Sequence, residues 1–297
     1  MIKFVVPDDH PPQKARYFLA AHGKISTNLW KKIKWQGSLF INGASVRAAD
    51  AIVKGGDTIS YELIEKSQII PYDRPLNIIY EDDWLLIINK QANQIIHPTS
   101  KASSDTLVNA VANYYLQTDQ NTGCHPVYRL DRNTTGLIIV AKQPQIQYAL
   151  TISHNKICRF YKAVVEGCPR PKEAMLCMPI IRKPGSIIER MTADNGQPAL
   201  THYKVIKVKE NYSLVKLKLY TGRTHQIRVH MAASGHPLLG DDLYGGSCDL
   251  IKRQALHAYR IIFTHPIENK KIDISIPMPD DMINLFKKHK KQEAIHY

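Results

Sequence analysis

The chain has 297 residues, 40 Lys and Arg against 26 Asp and Glu, and a formal net charge of +14. Hydrophobic residues make up 44% and charged residues 22% of it, an ordinary globular composition that excludes a disordered or collagen-like chain. The sequence has no run of about 18 apolar residues for a membrane helix, and its start lacks the apolar core of a secretion signal.

The positive charge and the cysteines narrow the function further. An excess of basic residues favours a polyanionic partner, nucleic acid before anionic lipid, over the alternative of an inert basic surface. The five cysteines form no C-x-x-C pair. We therefore expect neither a disulfide scaffold nor a zinc ribbon, and we expect a cytoplasmic protein.

Two short helices are predicted near the N-terminus. Apolar spacing predicts the first over 13–21, with Tyr17, Phe18 and Ala21 on its buried face. The second is predicted over 29–36, where a glycine at the C′ position ends it.

The second helix carries a basic outer face and precedes a hairpin. Lys31, Lys32 and Lys34 lie on that face, and Asn42-Gly43 suits a type I′ turn between two short strands. Basic helices followed by small strands can lie along a phosphate backbone, so we assign the three lysines to RNA binding. The alternative is an ordinary solvated helix face.

The pattern over 13–64 resembles the S-four-type (alpha-L) RNA-binding domain. We therefore expect a small α/β RNA-binding domain over 1–64, a linker with two prolines over 65–75, and one large domain over 76–297.

In the large domain, apolar strands alternate with a few helices. A helix is predicted over 105–116, and strands are predicted over 137–141, 160–166 and 214–220. The last strand alternates, with one face carrying Leu214, Lys216, Lys218 and Tyr220 and the other Val215, Leu217 and Leu219.

The densest polar stretch is 128–136 (YRLDRNTTG), directly before the strand 137–141. Asp131 lies there between Arg129 and Arg132, whose charges favour an ionised carboxylate with a fixed direction. Such a carboxylate can act as a nucleophile, a general base or a metal ligand. The alternative is a purely structural salt-bridged turn.

A second polar stretch, 220–231 (YTGRTHQIRVHM), predicts a tight turn that Thr224 can cap, followed by a helix. Arg223 projects from the turn at the head of this helix, a position that suits a phosphate or a carboxylate. Metal binding is the competing interpretation. His225 and His230 are five residues apart, which does not place them on one helical face, so we expect no metal.

Tyr161 lies in a third stretch, 159–167 (RFYKAVVEG). It is either an ordinary aromatic residue of a strand or a flat surface on which a base stacks, with its hydroxyl as an acid or base. The spacing leaves both interpretations open.

Several motifs, taken in order, resemble one family. Their order and spacing are similar to those of the RluA-type pseudouridine synthases, which commonly carry an S-four-type domain in front. The resemblance extends over almost the whole chain, and the stretches that carry it are 77–90, 129–136, 221–231, 236–245 and 253–258.

The resemblance implies an α+β fold, with a mixed, mostly antiparallel central sheet and a cleft, and isomerisation of uridine to pseudouridine in structured RNA without a cofactor. The essential aspartate of the family's R-L-D motif corresponds to Asp131. Arg129 corresponds to the arginine associated with flipping the target base, and Tyr161 to the motif tyrosine. The basic residue expected to pair with the aspartate corresponds to Arg223.

Further residues of the same motifs are assigned to substrate and RNA binding, namely Arg132, Thr135 and Ile227. Some positions depart from the family pattern. Asn133 and Thr135 replace a frequent Asp and Ser, and 91–93 (QAN) stands where Pro-x-Gly is frequent. The last departure puts only the conformation of that loop in doubt, and with it the choice of substrate.

We therefore predict an RNA pseudouridine synthase that acts as a cytoplasmic monomer on ribosomal RNA, with transfer RNA as the second candidate. One rival is a non-catalytic RNA-binding or ribosome-assembly factor on the same fold, which would not need the intact set of Arg129, Asp131, Tyr161 and Arg223. Another is a base-releasing glycosidase with Asp131 as nucleophile. No second carboxylate accompanies Asp131 in its motif, which disfavours a glycosidase.

Overall fold

The computed structural model describes residues 3–63, 69–98, 104–152 and 157–287. The chain divides into two compact units, and several segments contribute to each. The first is Met1–Ile87, His97–Tyr128 and Ile139–His154, and the second is Ile88–Ile96, Arg129–Ile138 and Asn155–Tyr297.

The predicted linker over 65–75 falls only partly on described residues, because 65–68 lie outside them. The boundaries proposed for the N-terminal domain, and its S-four-type identity, stay predictions.

The N-terminal part of the first unit is a four-stranded antiparallel sheet with two helices. The sheet has the order β1-β6-β3-β4, while β2 pairs with β5. The elements are β1 (Lys3–Val5), β2 (Gln13–Lys14), α1 (Ala15–Ala21), α2 (Thr27–Gln36), β3 (Gly37–Ile41), β4 (Ala44–Val46), β5 (Ile52–Val53) and β6 (Thr58–Leu63).

The buried face of α1 differs from the predicted one. Ala15, Phe18 and Leu19 are buried, whereas Tyr17 is 52% exposed and Ala21 is exposed. The helix begins only at Ala15, and the i, i+3, i+4 spacing from this residue selects Phe18 and Leu19 as the inward positions.

The second helix and the hairpin form as the sequence predicts. The Ser26 hydroxyl caps α2 by accepting a hydrogen bond from the Leu29 amide at 3.1 Å. Asn42 and Gly43 both have positive φ, 51° and 83°, as a type I′ turn requires. The Asn42 side chain also donates to Asp57 at 2.9 Å, which fixes the turn against the start of β6.

The rest of the first unit packs around two further helices. Its elements are β7 (Ile78–Glu81), α3 (Leu107–Gln117), β9 (His125–Pro126) and α4 (Pro144–Ile152), and β8 (Leu85–Lys90) and β10 (Thr135–Ala141) contribute residues to both units. The N-cap of α3 is Thr106.

A buried glutamine joins the N-terminal sheet to α4 within the first unit. Gln145 accepts a hydrogen bond from the Tyr61 hydroxyl at 2.7 Å and donates to the Gly23 carbonyl at 2.9 Å. Since Gln145 is buried, both bonds form away from competing water.

The large sheet is mixed and mostly antiparallel, as predicted. Besides the strands given above, it contains β11 (Cys158–Glu166), β12 (Glu173–Leu176), β15 (Thr201–Lys209), β16 (Tyr212–Leu219), β17 (Leu256–Thr264) and β18 (Lys271–Ser275). The ten strands in the described residues have the order β12-β15-β16-β11-β17-β10-β8-β7, with β18 on β17 and β9 on β10. A separate pair is formed by β13 (Ile180–Arg182) and β14 (Arg190–Thr192).

A glycine allows β10 to pair in parallel with β17. Gly136 has φ of 113°, and a Cβ there would lie 2.3 Å from the Ala258 carbonyl oxygen. Only glycine tolerates both this φ and this approach. Because β10 follows the 128–134 turn directly, this contact sets where the turn that carries Asp131 ends.

Two helices complete the second unit. Most of α5 (Gln226–Ala233) is buried, and α6 (Asp280–Asn284) places Met282 against Val164 and Leu214 in one apolar cluster. No helix among the described residues is long and apolar enough to cross a membrane.

Candidate active site

Asp131 lies in a turn that a buried lysine braces. The Lys90 ammonium, at the end of β8, donates to the carbonyl oxygens of Gln91, Gln94 and Arg132 at 2.8, 2.9 and 3.0 Å. These backbone oxygens satisfy a buried charge that would otherwise be costly. They also tie the loop after β8 to the turn that carries Asp131.

Arg228 is the cation that faces Asp131. Its Nη1 donates to Oδ2 of Asp131 at 3.3 Å, and its Nε and Nη2 donate to the two carboxylate oxygens of Asp241, both at 2.7 Å. The Asp241 side chain is 0% exposed and that of Asp131 is 26% exposed. The two-bonded fork fixes the guanidinium plane, and Asp131 is the carboxylate that a ligand can reach.

The charge of Arg228 is secured by its neighbours. Burial opposes the charged guanidinium, but the hydrogen bonds and charge of Asp241, with the charge of Asp131, raise the pKa of Arg228 above its usual value. The site therefore holds a permanent positive charge against the Asp131 carboxylate.

His225 approaches Asp131 from the start of α5. Its Nε2 lies 3.9 Å from Oδ1 of Asp131, and its Nδ1 is hydrogen bonded to the Tyr244 hydroxyl at 2.8 Å. The same hydroxyl accepts from the Arg190 amide, which favours donation by Tyr244 to Nδ1 and a proton on Nε2, facing Asp131. Burial lowers the pKa of His225, so the imidazole is neutral at pH 7 and the cation at the site is Arg228.

Tyr161 and Arg159 point to the same side of β11. Tyr161 is 4% exposed, and burial raises the pKa of its hydroxyl, with a smaller contribution from the negative charge of Asp131. The phenol is therefore uncharged at neutral pH, which suits a surface for stacking. Arg159 is also buried, and its Nη2 donates to the Thr221 carbonyl at 3.3 Å.

In the structure Arg223 has hydrogen-bond partners other than Asp131, the residue with which it was expected to pair. The exposed Arg223 side chain donates through Nε to the Pro198 carbonyl at 3.0 Å, and its amide donates to the Gln226 side chain at 2.9 Å. The helix starts at Gln226, with His225 rather than Thr224 as its N-cap. Arg228, the third residue of the buried helix α5, therefore faces Asp131 in the place where Arg223 was expected.

Both arginines of the R-L-D-R motif, Arg129 and Arg132, are exposed. Arg129 precedes Asp131 by two positions with its side chain open to solvent. The Arg132 Nε donates to the Asn93 side chain at 2.8 Å. The loop that departs from the family pattern therefore supports the neighbour of Asp131.

Thr135 and Ile227 are both buried. The Thr135 hydroxyl is hydrogen bonded to Nδ1 of His257 at 2.8 Å, and Ile227 is 4% exposed in α5. Their positions suit support of the site from behind, and direct contact with RNA, predicted for both, stays a prediction.

The three lysines assigned to RNA binding lie on α2 in the first unit. Lys31, Lys32 and Lys34 are exposed, whereas Leu29 and Ile33 of the same helix are buried. The basic outer face of the helix is as predicted, and what it binds stays a prediction.

The two motif histidines have different partners. His230 is buried, with Nδ1 2.9 Å from the Thr201 hydroxyl and Nε2 2.9 Å from the Met178 carbonyl oxygen, whereas His225 faces Asp131. In the described residues around Asp131, no three metal-ligating side chains bring their ligand atoms within 4.8 Å of one another.

Sequence reasoning missed most of the groups that hold Asp131. Arg228 had one visible signal, a charged residue in the otherwise apolar middle of a short helix. Asp241, Tyr244 and Lys90 lie in motifs that carry the family resemblance, but their sequence context assigns them no role. The groups that hold Asp131, directly or through a neighbour, are Arg228, Asp241, His225, Tyr244 and Lys90.

Comparisons with known proteins identify the family of these motifs. The family described as RNA pseudouridylate synthase matches residues 84–233. The chain is 42% identical over 241 residues to the uncharacterized RNA pseudouridine synthase YhcT of Bacillus subtilis (strain 168), covering 79% of this chain and 80% of that one.

A further relative and a solved structure agree. Ribosomal large subunit pseudouridine synthase D of Pasteurella multocida (strain Pm70) is 37% identical over 279 residues, covering 88% of this chain and 86% of that protein. The structure of human RNA Pseudouridylate Synthase Domain Containing 1 matches with a TM-score of 0.57 and 25% identity, over 68% of this chain and 83% of that chain.

Removing Asp241 is expected to destabilise the protein strongly. Asp241→Ala leaves the Arg228 charge buried with only the longer contact to Asp131, and we expect the free energy of unfolding to fall by about 3–5 kcal/mol. Urea denaturation measures this. The matched control is Asp273→Ala, which removes a similar two-bonded carboxylate from the exposed Arg260, and a much smaller loss is expected. Equal losses in the two variants would contradict the role of the buried fork.

His257 is expected to make stability depend on pH. Burial lowers its pKa from 6.5 to about 4, so the unfolded chain binds a proton that the folded chain does not. The free energy of unfolding should therefore fall as pH drops from about 6.5 to about 4, by at most about 3 kcal/mol from this group. His257→Gln should flatten the measured profile in this range, whereas His22→Gln, at an exposed position, should not. Parallel profiles for wild type and His257→Gln would contradict the assignment of this pH dependence to His257.

Proposed function

The chain belongs to the RluA-type family of RNA pseudouridine synthases, and we propose that it isomerises uridines of ribosomal RNA with Asp131 as its catalytic carboxylate. One observation carries the assignment of Asp131. Its partly exposed carboxylate faces the Arg228 guanidinium at 3.3 Å, and Asp241 holds that guanidinium from behind. A fixed, reachable carboxylate beside a buried cation is suited to covalent or acid–base chemistry.

The choice of ribosomal RNA rests on the relatives. Several proteins 35–37% identical to this chain over most of its length are named for the large ribosomal subunit. The formal charge of +14 fits any large polyanionic RNA. Transfer RNA is the alternative substrate.

The reaction moves a bond within one nucleotide and needs no external reactant. The glycosidic bond from C1′ to N1 breaks, the uracil turns in place, and C1′ bonds to C5, which then loses its proton while N1 gains one. Asp131 either attacks C1′ or removes a ribose proton, and both routes start from the ionised carboxylate. The uracil must stay enclosed, because its release would make the enzyme a glycosidase.

The surrounding residues then have distinct roles. Arg228 orients Asp131 and balances its charge. Tyr161, uncharged and buried beside the site, offers a face for the flipped uracil. Arg129, exposed two residues before Asp131, takes the place of the flipped base in the stack, and the exposed Arg132 and Arg223 bind phosphates.

The remaining assignments concern the whole chain. We propose that Lys31, Lys32 and Lys34 bind RNA outside the target nucleotide, which the exposed face of α2 supports. We also propose that the protein acts as a monomer. None of the five cysteines is paired, which suits the reducing cytoplasm.

The role of Asp131 is tested with ribosomal RNA labelled with tritium at carbon 5 of uridine. Wild type should release tritium, and Asp131→Asn should lose at least about 1,000-fold of the rate, because the nucleophile or base is gone. Asp194→Asn, at an exposed position of the second unit, is the control and should keep wild-type release. Equal release by wild type and Asp131→Asn would exclude the assignment, and free uracil among the products would favour the glycosidase.

Arg228 and Arg223 are expected to respond differently to the same substitution. Arg228→Lys keeps a charge but loses the fork to Asp241, so kcat should fall about 100-fold through misplacement of Asp131. Arg223→Lys keeps a surface cation, so mainly KM should change, by a few-fold. A kcat loss in Arg223→Lys as large as in Arg228→Lys would restore the original pairing of Arg223 with the aspartate.

A further inference from the structure

The outer side of the central strands in the second unit carries an unusual concentration of cations and aromatic rings. Side chains alternate along β11, so Phe160 and Lys162 point away from the side that carries Tyr161. We call this surface the lysine face, and its members are Phe160, Lys162, Lys216, Lys218, Tyr220, Tyr259 and Arg260.

A helix covers one end of this side of the sheet. At that end Val164 and Leu214 pack with Met282 of α6 in an apolar cluster. Two residues earlier on β11 the side chain is Lys162, and two residues later on β16 it is Lys216, both partly exposed. The side chains on this side of the sheet therefore change from apolar to basic just beyond the residues against which α6 packs.

The register brings the lysines together on adjacent strands. Lys162 lies opposite Lys216, and Lys216 lies opposite Lys204 of β15. Like charges in facing positions destabilise a sheet. Stability of the fold therefore does not account for this arrangement.

The aromatic rings hold the cations on the surface. The Lys162 ammonium lies 4.8 Å from the Tyr259 ring centre, and Lys218 lies 4.6 Å from that of Tyr220. Lys216 and Arg260 both lie 5.7 Å from the Phe160 ring centre. Cation–π contacts of this length keep a side chain in place without neutralising it.

The central cations are not neutralised by carboxylates. At the two margins, Arg260 pairs with Asp273, and Lys204 pairs with Glu173. Among the described residues, Lys162, Lys216 and Lys218 form no ion pair. The positive charges of these three lysines are therefore uncompensated. They lie on the neighbouring strands β11 and β16, and neighbouring strands are about 5 Å apart.

We propose that the lysine face is a second RNA-binding surface, which holds a single-stranded segment of the substrate RNA on the side of the sheet opposite Tyr161. The lysines contact successive phosphates, and the Tyr220 ring, 41% exposed, stacks on a base. A positive face with interspersed rings fits a single strand, because every base has a flat side and every nucleotide a phosphate. The proposal goes beyond the isomerisation, which uses the other side of β11.

The test uses the full-length protein and a short oligocytidine, which contains no uridine and therefore no target for isomerisation. Its binding is measured by fluorescence anisotropy over a range of salt concentrations. Each phosphate neutralised on a single strand contributes about 0.7 to the slope of log affinity against log salt. The double variant Lys216→Gln/Lys218→Gln should therefore lower this slope by about 1.4.

The matched control removes two charges elsewhere in the second unit. Lys252→Gln/Lys287→Gln changes two exposed lysines outside the lysine face and should leave the slope as in wild type. Tyr220→Leu should weaken binding about 5-fold or more without changing the slope, because stacking releases no counterions.

Three results would overturn the proposal. They are an unchanged slope in Lys216→Gln/Lys218→Gln, an equal loss in the control pair, and displacement of the RNA by polyglutamate of the same length at the same concentration. The last would indicate a surface for acidic peptides. Since the probe contains no uridine, tritium release assays judge the isomerisation independently of all three.

Discussion

The site depends on one buried ion pair, the fork between Arg228 and Asp241. A guanidinium and a carboxylate in the interior are stable only together, because each alone would leave an unpaired charge without water. Two hydrogen bonds of 2.7 Å therefore fix α5 against the turn after Leu239. The third nitrogen of the same guanidinium donates to Asp131 at 3.3 Å, so the position of the Asp131 carboxylate depends on an ion pair between two other residues.

β11 divides the second unit into two chemical environments. One side of the strand carries Arg159 and Tyr161, which are both buried, and the other carries Phe160 and Lys162, which are partly exposed. Both pairs come from four consecutive residues, since neighbouring side chains of a strand point to opposite faces. A single strand thus connects the environment in which a uracil can be enclosed with one that suits a charged backbone.

Local sequence signals predicted what local physics determines. The Asn42-Gly43 turn, the end of α2 at a glycine and the strand 137–141 before which Asp131 lies depend on neighbours within a few residues, and the structure contains all three. The partner of Asp131 lies 97 residues away in the chain. Local spacing favoured Arg223 at the head of the helix. The choice of Arg228 follows from where α5 starts and how it packs, which only the folded chain determines.

His225 adopts the left-handed backbone region, with φ of 58° and ψ of 18°, where a side chain costs roughly 1 kcal/mol that glycine avoids. The imidazole beside Asp131 is therefore present against the local preference of the backbone. Selection for thermal stability alone would favour glycine here, and selection for a functional site would favour histidine. This position is one at which a consensus drawn from stabilised variants and a consensus drawn from active ones should diverge.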